Sequence, residues 1–387
     1  LAETAADADA RSRAASVDAV DAVNVAVDVA IVGGGPAGCA VALSLRDYAP
    51  SLSIALIEAS TYTEPRLGET LPPIGRGLLE HLGVWEAFRA QGHQPLYGTA
   101  AAWGAPIARE HPFIYTAHGN GWHLDRGRFD AGLASAAEAR GVMLLRGTRV
   151  RDVARYADGS GWRLRLDTSE LRELRARFLV DATGRAASIA RRVGARGVCH
   201  DRLIALTQLF EQRDPTDPRT LVEAFRDGWC YTARLPADQR IACCLTDTDI
   251  ARGLRLHEPR CWSSLLSSMG HVALALRDAE PRGPLIARAV GSRRLDPVAG
   301  EGWLAVGDAA ATFDPLSSTG IVKALRSGIF ASYAIADLLT SRNPSGVKRY
   351  AAFIRAEFDA YTRTHAAYYR AEQRWPESLF WRRRAAA

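Results

Sequence analysis

The stretch between Val27 and Glu58 constrains this chain more than any other. Val27-Asp-Val-Ala-Ile-Val32 is a short apolar run, and Gly33-Gly-Gly-Pro-Ala-Gly38 follows it directly. Cys39 to Leu45 is apolar and helix-compatible. A second apolar run, Leu52 to Ile57, ends at Glu58, twenty residues after Gly38. The order is strand, glycine turn, helix, strand, acid. Each glycine has a separate use: Gly33 permits a tight turn, Gly35 lets the backbone approach a diphosphate, and Gly38 lets helix and strand pack closely. The helix N-terminus offers free N–H groups and a positive dipole end to the phosphates. A carboxylate at the end of the second strand can accept hydrogen bonds from ribose hydroxyls. With both strands, the helix and the acid in place, this is a dinucleotide-binding fingerprint in context.

Composition sets the frame around that unit. The 387 residues carry 49 Lys plus Arg against 43 Asp plus Glu, a net +6, with 48% hydrophobic and 24% charged residues. That profile excludes a disordered chain, a collagen and a small disulfide scaffold, and the length suits two domains or one large one. No uncharged apolar stretch reaches 18 residues, so no membrane span is expected. The basic excess is mostly arginine spread along the chain, without the aromatic interleaving of a nucleic-acid binder. The six cysteines (39, 199, 230, 243, 244 and 261) form no CxxC and no zinc spacing, and read as buried small residues in a reducing, cytoplasmic compartment. No metal site is expected. Residues 1–24, rich in Ala, Asp, Ser and Val, lack the apolar run of an export signal and read as a disordered extension.

Further along, Arg66-Leu-Gly-Glu-Thr-Leu-Pro-Pro73 is an irregular loop leading into a helix through Leu78, Leu79 and Leu82. Trp122-His-Leu-Asp-Arg-Gly-Arg-Phe-Asp130 opens a second helix. Phe178-Leu-Val-Asp181-Ala-Thr-Gly184-Arg185 is a buried-type strand ending in a turn, and Trp303 to Val306 is another, ending in Gly307-Asp308. Asp314-Pro-Leu-Ser-Ser-Thr-Gly320 then leads into a helix from about Ile321 to Leu339. Asp308 could bind a polyol, and N–H groups near Gly320 a negative ring edge. Residues 201–250 read as strands; in the middle one Trp229, Tyr231, Ala233 and Leu235 alternate onto one face, and Trp229 and Tyr231 are candidates to wall a pocket for a flat substrate. The C-terminal stretch Arg374–Arg384 mixes Trp, Phe and Arg. It either packs on its own domain or docks an acidic partner polypeptide.

Taken together, these motifs resemble the FAD-dependent oxidoreductases that include aromatic hydroxylases of the p-hydroxybenzoate hydroxylase type and tryptophan halogenases. The matching pieces span residues 27 to about 340. The resemblance implies an α/β fold: a Rossmann-type FAD-binding domain (25–93, 121–200 and 290–345), an inserted, mainly β substrate-binding domain (94–120 and 201–289) and a C-terminal helical segment (346–387). It places Glu58 at the ribose, Arg126 near the pyrophosphate, Asp308 at the ribityl chain and the residues around Gly320 beside the isoalloxazine. Pro36, Ala37, Arg66, Asp181, Gly184, Gly307, Pro315, Ser318 and Thr319 complete the expected cofactor set. Gly121-Trp-His-Leu-Asp-Arg126, Gly228-Trp-Cys-Tyr231 and Arg374-Trp-Pro-Glu-Ser-Leu-Phe-Trp-Arg382 look more narrowly like the flavoproteins that mature quinone-cofactor amine dehydrogenases and amino-acid oxidases. That implies hydroxylation of an electron-rich ring through a peroxyflavin, the ring being a tryptophan of a partner polypeptide.

Two alternatives stay open. A halogenase of this superfamily carries a lysine soon after the Gly-Glu loop and a Glu before Ser-Thr-Gly; here those positions read Arg76 and Ser317, and arginine cannot form a haloamine. A flavin dehydrogenase or reductase would use the same scaffold without oxygen transfer. Glu69 and Arg76 are the candidates for polar assistance at the reacting ring, with His123 behind them. No second nucleotide fingerprint stands out, so NAD(P)H or a separate flavin reductase is expected to supply electrons.

Overall fold

The structure is a computed structural model that describes residues 24–64, 66, 68–168, 171–212 and 217–385. Residues 1–23 of the expected extension lie outside the described residues, and Asn24 already belongs to the first strand. That strand, β1 (Asn24–Val32), has Val29, Ala30 and Ile31 wholly buried. A continuous apolar run without alternation suits a parallel sheet covered on both faces. Helix α1 (Pro36–Tyr48) crosses over to β2 (Ile54–Glu58), which pairs with β1 in parallel.

Along the chain follow α2 (Gly75–His81), β3 (Gly98–Ala102), β4 (Arg109–Pro112), α3 (Arg126–Ala139), β5 (Met143–Arg146) and β6 (Glu173–Asp181). Next come β7 (Leu203–Glu211), β8 (Thr220–Phe225), β9 (Gly228–Leu235), β10 (Gln239–Asp247), β11 (Glu280–Ala289) and β12 (Trp303–Ala305). Three helices close the chain: α4 (Gly320–Ser341), α5 (Ser345–Ala371) and α6 (Leu379–Ala385). The first sheet has a parallel core β12–β6–β1–β2–β5, to which three further strands (Val150–Arg155, Trp162–Leu166 and Ala299–Gly300) add antiparallel. Helix α4 lies on α1 closely enough that a Cβ at Gly328 would press on Ala37 and Ala40, and Ser332 donates to Ser44 at 2.7 Å between them. The expected α/β architecture of an FAD-binding fold is what forms.

The second sheet, among the described residues, has the order β11–β7–β10–β9–β8–β3–β4. It therefore gathers strands from two separate stretches of chain, before and after α3. One face packs on Leu256, Trp262 and Leu266; the other carries Leu203, Trp229, Cys243 and Leu245. Cys39, Cys230, Cys243 and Cys244 are buried as expected, whereas Cys199 is exposed and Cys261 half-buried. No helix among the described residues is long and apolar enough to cross a membrane.

Part of the C-terminal segment packs on this second sheet, so Phe380, Trp381 and Arg384 are not free to dock a partner. Phe380 and Trp381 are buried beside Trp229 and Tyr369. Trp381 Nε1 donates to the Phe225 carbonyl at 3.1 Å. Arg384 is 5% exposed and donates to Asp247 at 2.7 Å, and Arg383 binds Asp247 and Asp249. Removing any one partner would strand a buried charge or open the core. Trp381→Ala is therefore expected to cost about 3–5 kcal/mol. Urea unfolding should show this as a lower midpoint at unchanged slope; an unchanged midpoint would mean the segment does not hold the sheet.

Candidate functional site

The glycine turn is forced by its surroundings. Gly33 has φ +112°, and a Cβ there would overlap the Ala182 carbonyl; a Cβ on Gly38 would overlap the Gly33 carbonyl. Gly35 is different. A Cβ would meet nothing within 4 Å, and no side chain caps the helix that Pro36 begins. The orphan N–H groups of α1 thus face open space. The same is true at α4, where Gly320 has nothing within 4 Å and Thr319 makes no side-chain cap. Both helix ends open on one cavity of about 1880 Å³. Drug-sized pockets hold roughly 300–1,000 Å³, so this one has room for an extended dinucleotide and a second molecule.

At one end of the cavity lies Glu58, 8% exposed. Burial pushes its carboxyl up, but the Ser60 hydroxyl, the Gly34 and Ser60 N–H groups and Arg66 outweigh burial and hold it below the ordinary range. Gly34 N–H donates to Oε2 at 2.6 Å and Arg66 to Oε1 at 2.9 Å. Arg66 and Arg126 also line the cavity, and both are fixed by the wholly buried Asp130, at 2.8 and 3.0 Å. Asp130 is missed by sequence reasoning, although its i,i+4 spacing from Arg126 was a signal. Tyr62 was missed too; its hydroxyl donates to the Gly34 carbonyl at 2.9 Å and its ring lies under Arg66.

Asp308, Pro315, Ser318 and Gly320 line the middle of the cavity with Gly184. Asp314, also on the wall, is 1% exposed and accepts from Leu316 N–H at 2.8 Å and from the Tyr369 hydroxyl at 2.7 Å. His365 Nε2 lies 3.1 Å from it. Tyr369 in turn accepts from Trp229 Nε1 at 2.8 Å. Helix α5 thereby ties the loop before Gly320 to the second sheet, a contact that no local pattern could reveal.

The far wall is that sheet. Ala205, Thr207, Trp229, Tyr231, Ile241 and Cys243 face the cavity. Trp229 is 1% exposed with its N–H committed to Tyr369, so it acts as wall. Glu69 stands opposite, 4% exposed, with Oε2 making no hydrogen bond. Burial pushes its carboxyl above the ordinary range; the Tyr231 hydroxyl, nearby N–H groups and Arg126 pull it back only in part. Burial and the facing Glu69 raise the Tyr231 phenol as well.

Six expected site residues are not brought to the cavity surface: Arg76, His123, Asp181, Gly38, Gly307 and Thr319. Arg76 lies on α2, half-exposed, paired with Glu80 at 2.8 Å and over the Trp85 ring, because its helical position turns it outward. His123 is wholly buried behind Thr220, 2.7 Å from its hydroxyl, and burial depresses it to about 3, so it stays neutral. Asp181 is wholly buried and accepts from Thr183, Ile189 and Ala190, capping the turn after β6 instead of facing a ligand. Gly38, Gly307 and Thr319 each pack against a residue that does line the cavity, Gly33, Ala37 and Ser317 respectively.

Two uncapped helix N-termini, an open glycine approach and two carboxylates on the cavity wall, Glu58 and Asp308, suit a flavin dinucleotide. The family described as the FAD binding domain matches residues 26–358, and the chain belongs to it. LodB of Marinomonas mediterranea, named as an FAD-dependent oxidoreductase, is 29% identical over 364 residues, covering 93% of this chain and 97% of its own. The myxobacterial chondrochloren halogenase CndH shares the fold with a TM-score of 0.85 at 24% identity, covering 93% and 86%. The peptidyl tryptophan dihydroxylase QhpG has a TM-score of 0.71 at 26% identity, covering 93% and 79%. Several other relatives and structures are halogenases, and a flavoprotein/dehydrogenase from Cytophaga hutchinsonii shares the fold as well. The protein is an FAD-dependent oxidoreductase, and its fold is shared with flavin-dependent halogenases.

The glycines separate folding from binding. Gly35→Ala should leave the apoprotein melting temperature unchanged, since the new Cβ enters open space, yet weaken FAD by at least about tenfold; Gly33→Ala should destabilise the apoprotein itself. Equal FAD affinity in Gly35→Ala would contradict this. Glu69 gives a pH signature. Its folded pKa lies above the unfolded one, so its stability contribution is complete below the ordinary value of about 4.3 and is lost as pH rises through the raised value. Glu69→Gln should accordingly gain stability relative to the parent apoprotein between pH 4 and pH 8, followed by thermal melts; a constant offset would count against a buried, titrating carboxyl.

Proposed function

We propose that the protein is an FAD-dependent monooxygenase that hydroxylates an electron-rich aromatic ring, a tryptophan side chain of a partner polypeptide, in the maturation of a quinone cofactor. The observation that carries this reading is the part of the cavity bounded by the second sheet. It is walled by an aromatic, apolar sheet and holds one buried acid, Glu69, with a free acceptor oxygen. A neutral ring bearing an N–H fits that part of the cavity. A free amino acid fits it less well, because its carboxylate would be brought against an apolar wall beside the Glu69 carboxyl at a cost of several kcal/mol. The cations on that side, Arg282 and Arg288, stand on the exposed edge strand β11 at the rim. A ring presented on a polypeptide brings only neutral amides with it. The likeness to a peptidyl tryptophan dihydroxylase agrees with this choice.

In this reading the α1 N-terminus and Gly35 hold the FAD diphosphate, Glu58 the ribose, Asp308 the ribityl chain, and the α4 N-terminus the ring edge. When bound and reduced, FAD supplies the activation of dioxygen, with two electrons from a reduced nicotinamide donor or a separate reductase. One oxygen atom enters the substrate ring and the other leaves as water. The sheet wall excludes water and holds the ring in place. Glu69 Oε2 accepts the ring N–H, which becomes more acidic as the ring is attacked, and takes up the developing positive charge. Tyr231 orients that carboxyl.

A second reading, halogenation, is favoured by Ser318-Thr319-Gly320 at the α4 N-terminus and by the fold of CndH. The chemistry speaks against it. The whole chain has two lysines, Lys323 and Lys348. Neither lines the cavity, and Lys323 is buried with its amine paired. The test is mass spectrometry of the polypeptide encoded beside this gene, after co-expression in chloride- and bromide-containing medium. Tryptophan gaining oxygen, with the gain reduced at least about tenfold by Glu69→Gln, is expected. A gain of halogen would overturn the oxygenase reading, and oxygen consumed only to peroxide would favour a dehydrogenase.

A further inference from the structure

Lys323 is a buried charge that nothing above employs. It lies on α4, three residues inside the helix whose N-terminus opens on the cavity, and is 2% exposed. Its Nζ donates to Asp308 Oδ1 at 2.6 Å and to the Ala311 carbonyl, and it stands 4.7 Å from the centre of the Phe313 ring. A lysine is tolerated at such depth only when its ammonium is paired and hydrogen-bonded. Here the partner is not itself buried: the Asp308 side chain is 50% exposed and lines the cavity. The pair is therefore asymmetric. Oδ1 is gripped by the ammonium, while half of the side chain stays exposed on the cavity wall. Asp308 sits on a short turn, Gly307–Ala309, where φ at Gly307 is +57°.

We propose that Lys323 is a positioning residue for the cofactor: it holds Asp308 in the one orientation from which the second carboxylate oxygen can accept hydroxyl hydrogens of the ribityl chain. This rests on the FAD reading, with Asp308 as the ribityl contact. The same grip occupies the only buried lysine amine among the described residues and keeps it off the cavity wall. Lys348 sits on α5, outside the cavity wall. The gain from such an arrangement is preorganisation, since a carboxylate already turned toward its ligand loses less side-chain freedom on binding.

The experiment uses the full chain stripped of flavin and titrated with two probes, FAD and ADP. ADP shares the diphosphate and adenosine half and lacks the ribityl chain. Lys323→Met should weaken FAD at least about tenfold and leave ADP within about twofold. Asp308→Asn should do the same, and adding Lys323→Met to it should change FAD affinity by less than about twofold, because the two act as one unit. Lys323→Gln, which keeps a donor, should lie between parent and Met and serves if the Met variant does not fold. Equal loss of FAD and ADP would make Lys323 a general structural residue. Undiminished FAD affinity in Lys323→Met, or full additivity with Asp308→Asn, would overturn the proposal. A parent protein that binds ADP but not FAD would overturn the flavin reading, and this one with it.

Discussion

Everything in this molecule depends on how closely the turn after β1 approaches the turn after β6. Gly33 rests against the Ala182 carbonyl, and Gly38 rests against Gly33. No side chain larger than hydrogen fits at either contact. That closeness lets α1 begin right at the end of its strand, with its first N–H groups uncapped and aimed into the cavity. It also brings Ala182, Thr183 and Gly184 onto the same wall. A sheet whose strands end at one edge, with ligands beyond their carboxyl ends, is the general solution for open parallel α/β folds. Here α4 repeats the device from the opposite side, so one cavity receives two helix N-termini.

The second half of the site comes from contacts made across the chain. Strands from before and after α3 form one sheet, and its aromatic face becomes the far wall. Helix α5 then ties the two halves together through Asp314, Tyr369 and Trp229. Phe313 stacks on Tyr361, whose hydroxyl accepts from the Asp314 N–H and meets Ser292. The loop that precedes Gly320 is therefore held from outside by the C-terminal helix, and the distance between the two walls is set by packing. For an oxidation in which water must be kept from the reacting centre, a rigid link of this kind is the useful property.

How much was legible in advance follows from which contacts are local. The glycine turn, Glu58, the helix at Gly320 and the strand before Gly307-Asp308 depend on neighbours in sequence, and they were readable. Asp181 was legible as a motif but misplaced in role: its carboxylate serves the turn's own N–H groups. Arg76 and His123 show the limit of judging by position in a motif. One turns outward because of its phase on α2, and the other is sealed behind Thr220. Asp130, Lys323 and Tyr369 could not be ranked at all, because each matters through a partner that only the folded chain supplies. The aromatic, basic C-terminus illustrates the same ambiguity from the other direction. Interface-type residues in the sequence proved to be filling an interface inside the chain.

The claim on which the account stands is that one FAD binds with its diphosphate at the start of α1 and its ring beside the start of α4. A crystal structure of the protein grown with FAD tests this most directly. The account predicts diphosphate oxygens within hydrogen-bond distance of the N–H groups that follow Gly35, and the isoalloxazine between Gly320 and the sheet bearing Tyr231. Flavin density elsewhere, or a cavity that stays empty at saturating FAD, would contradict it.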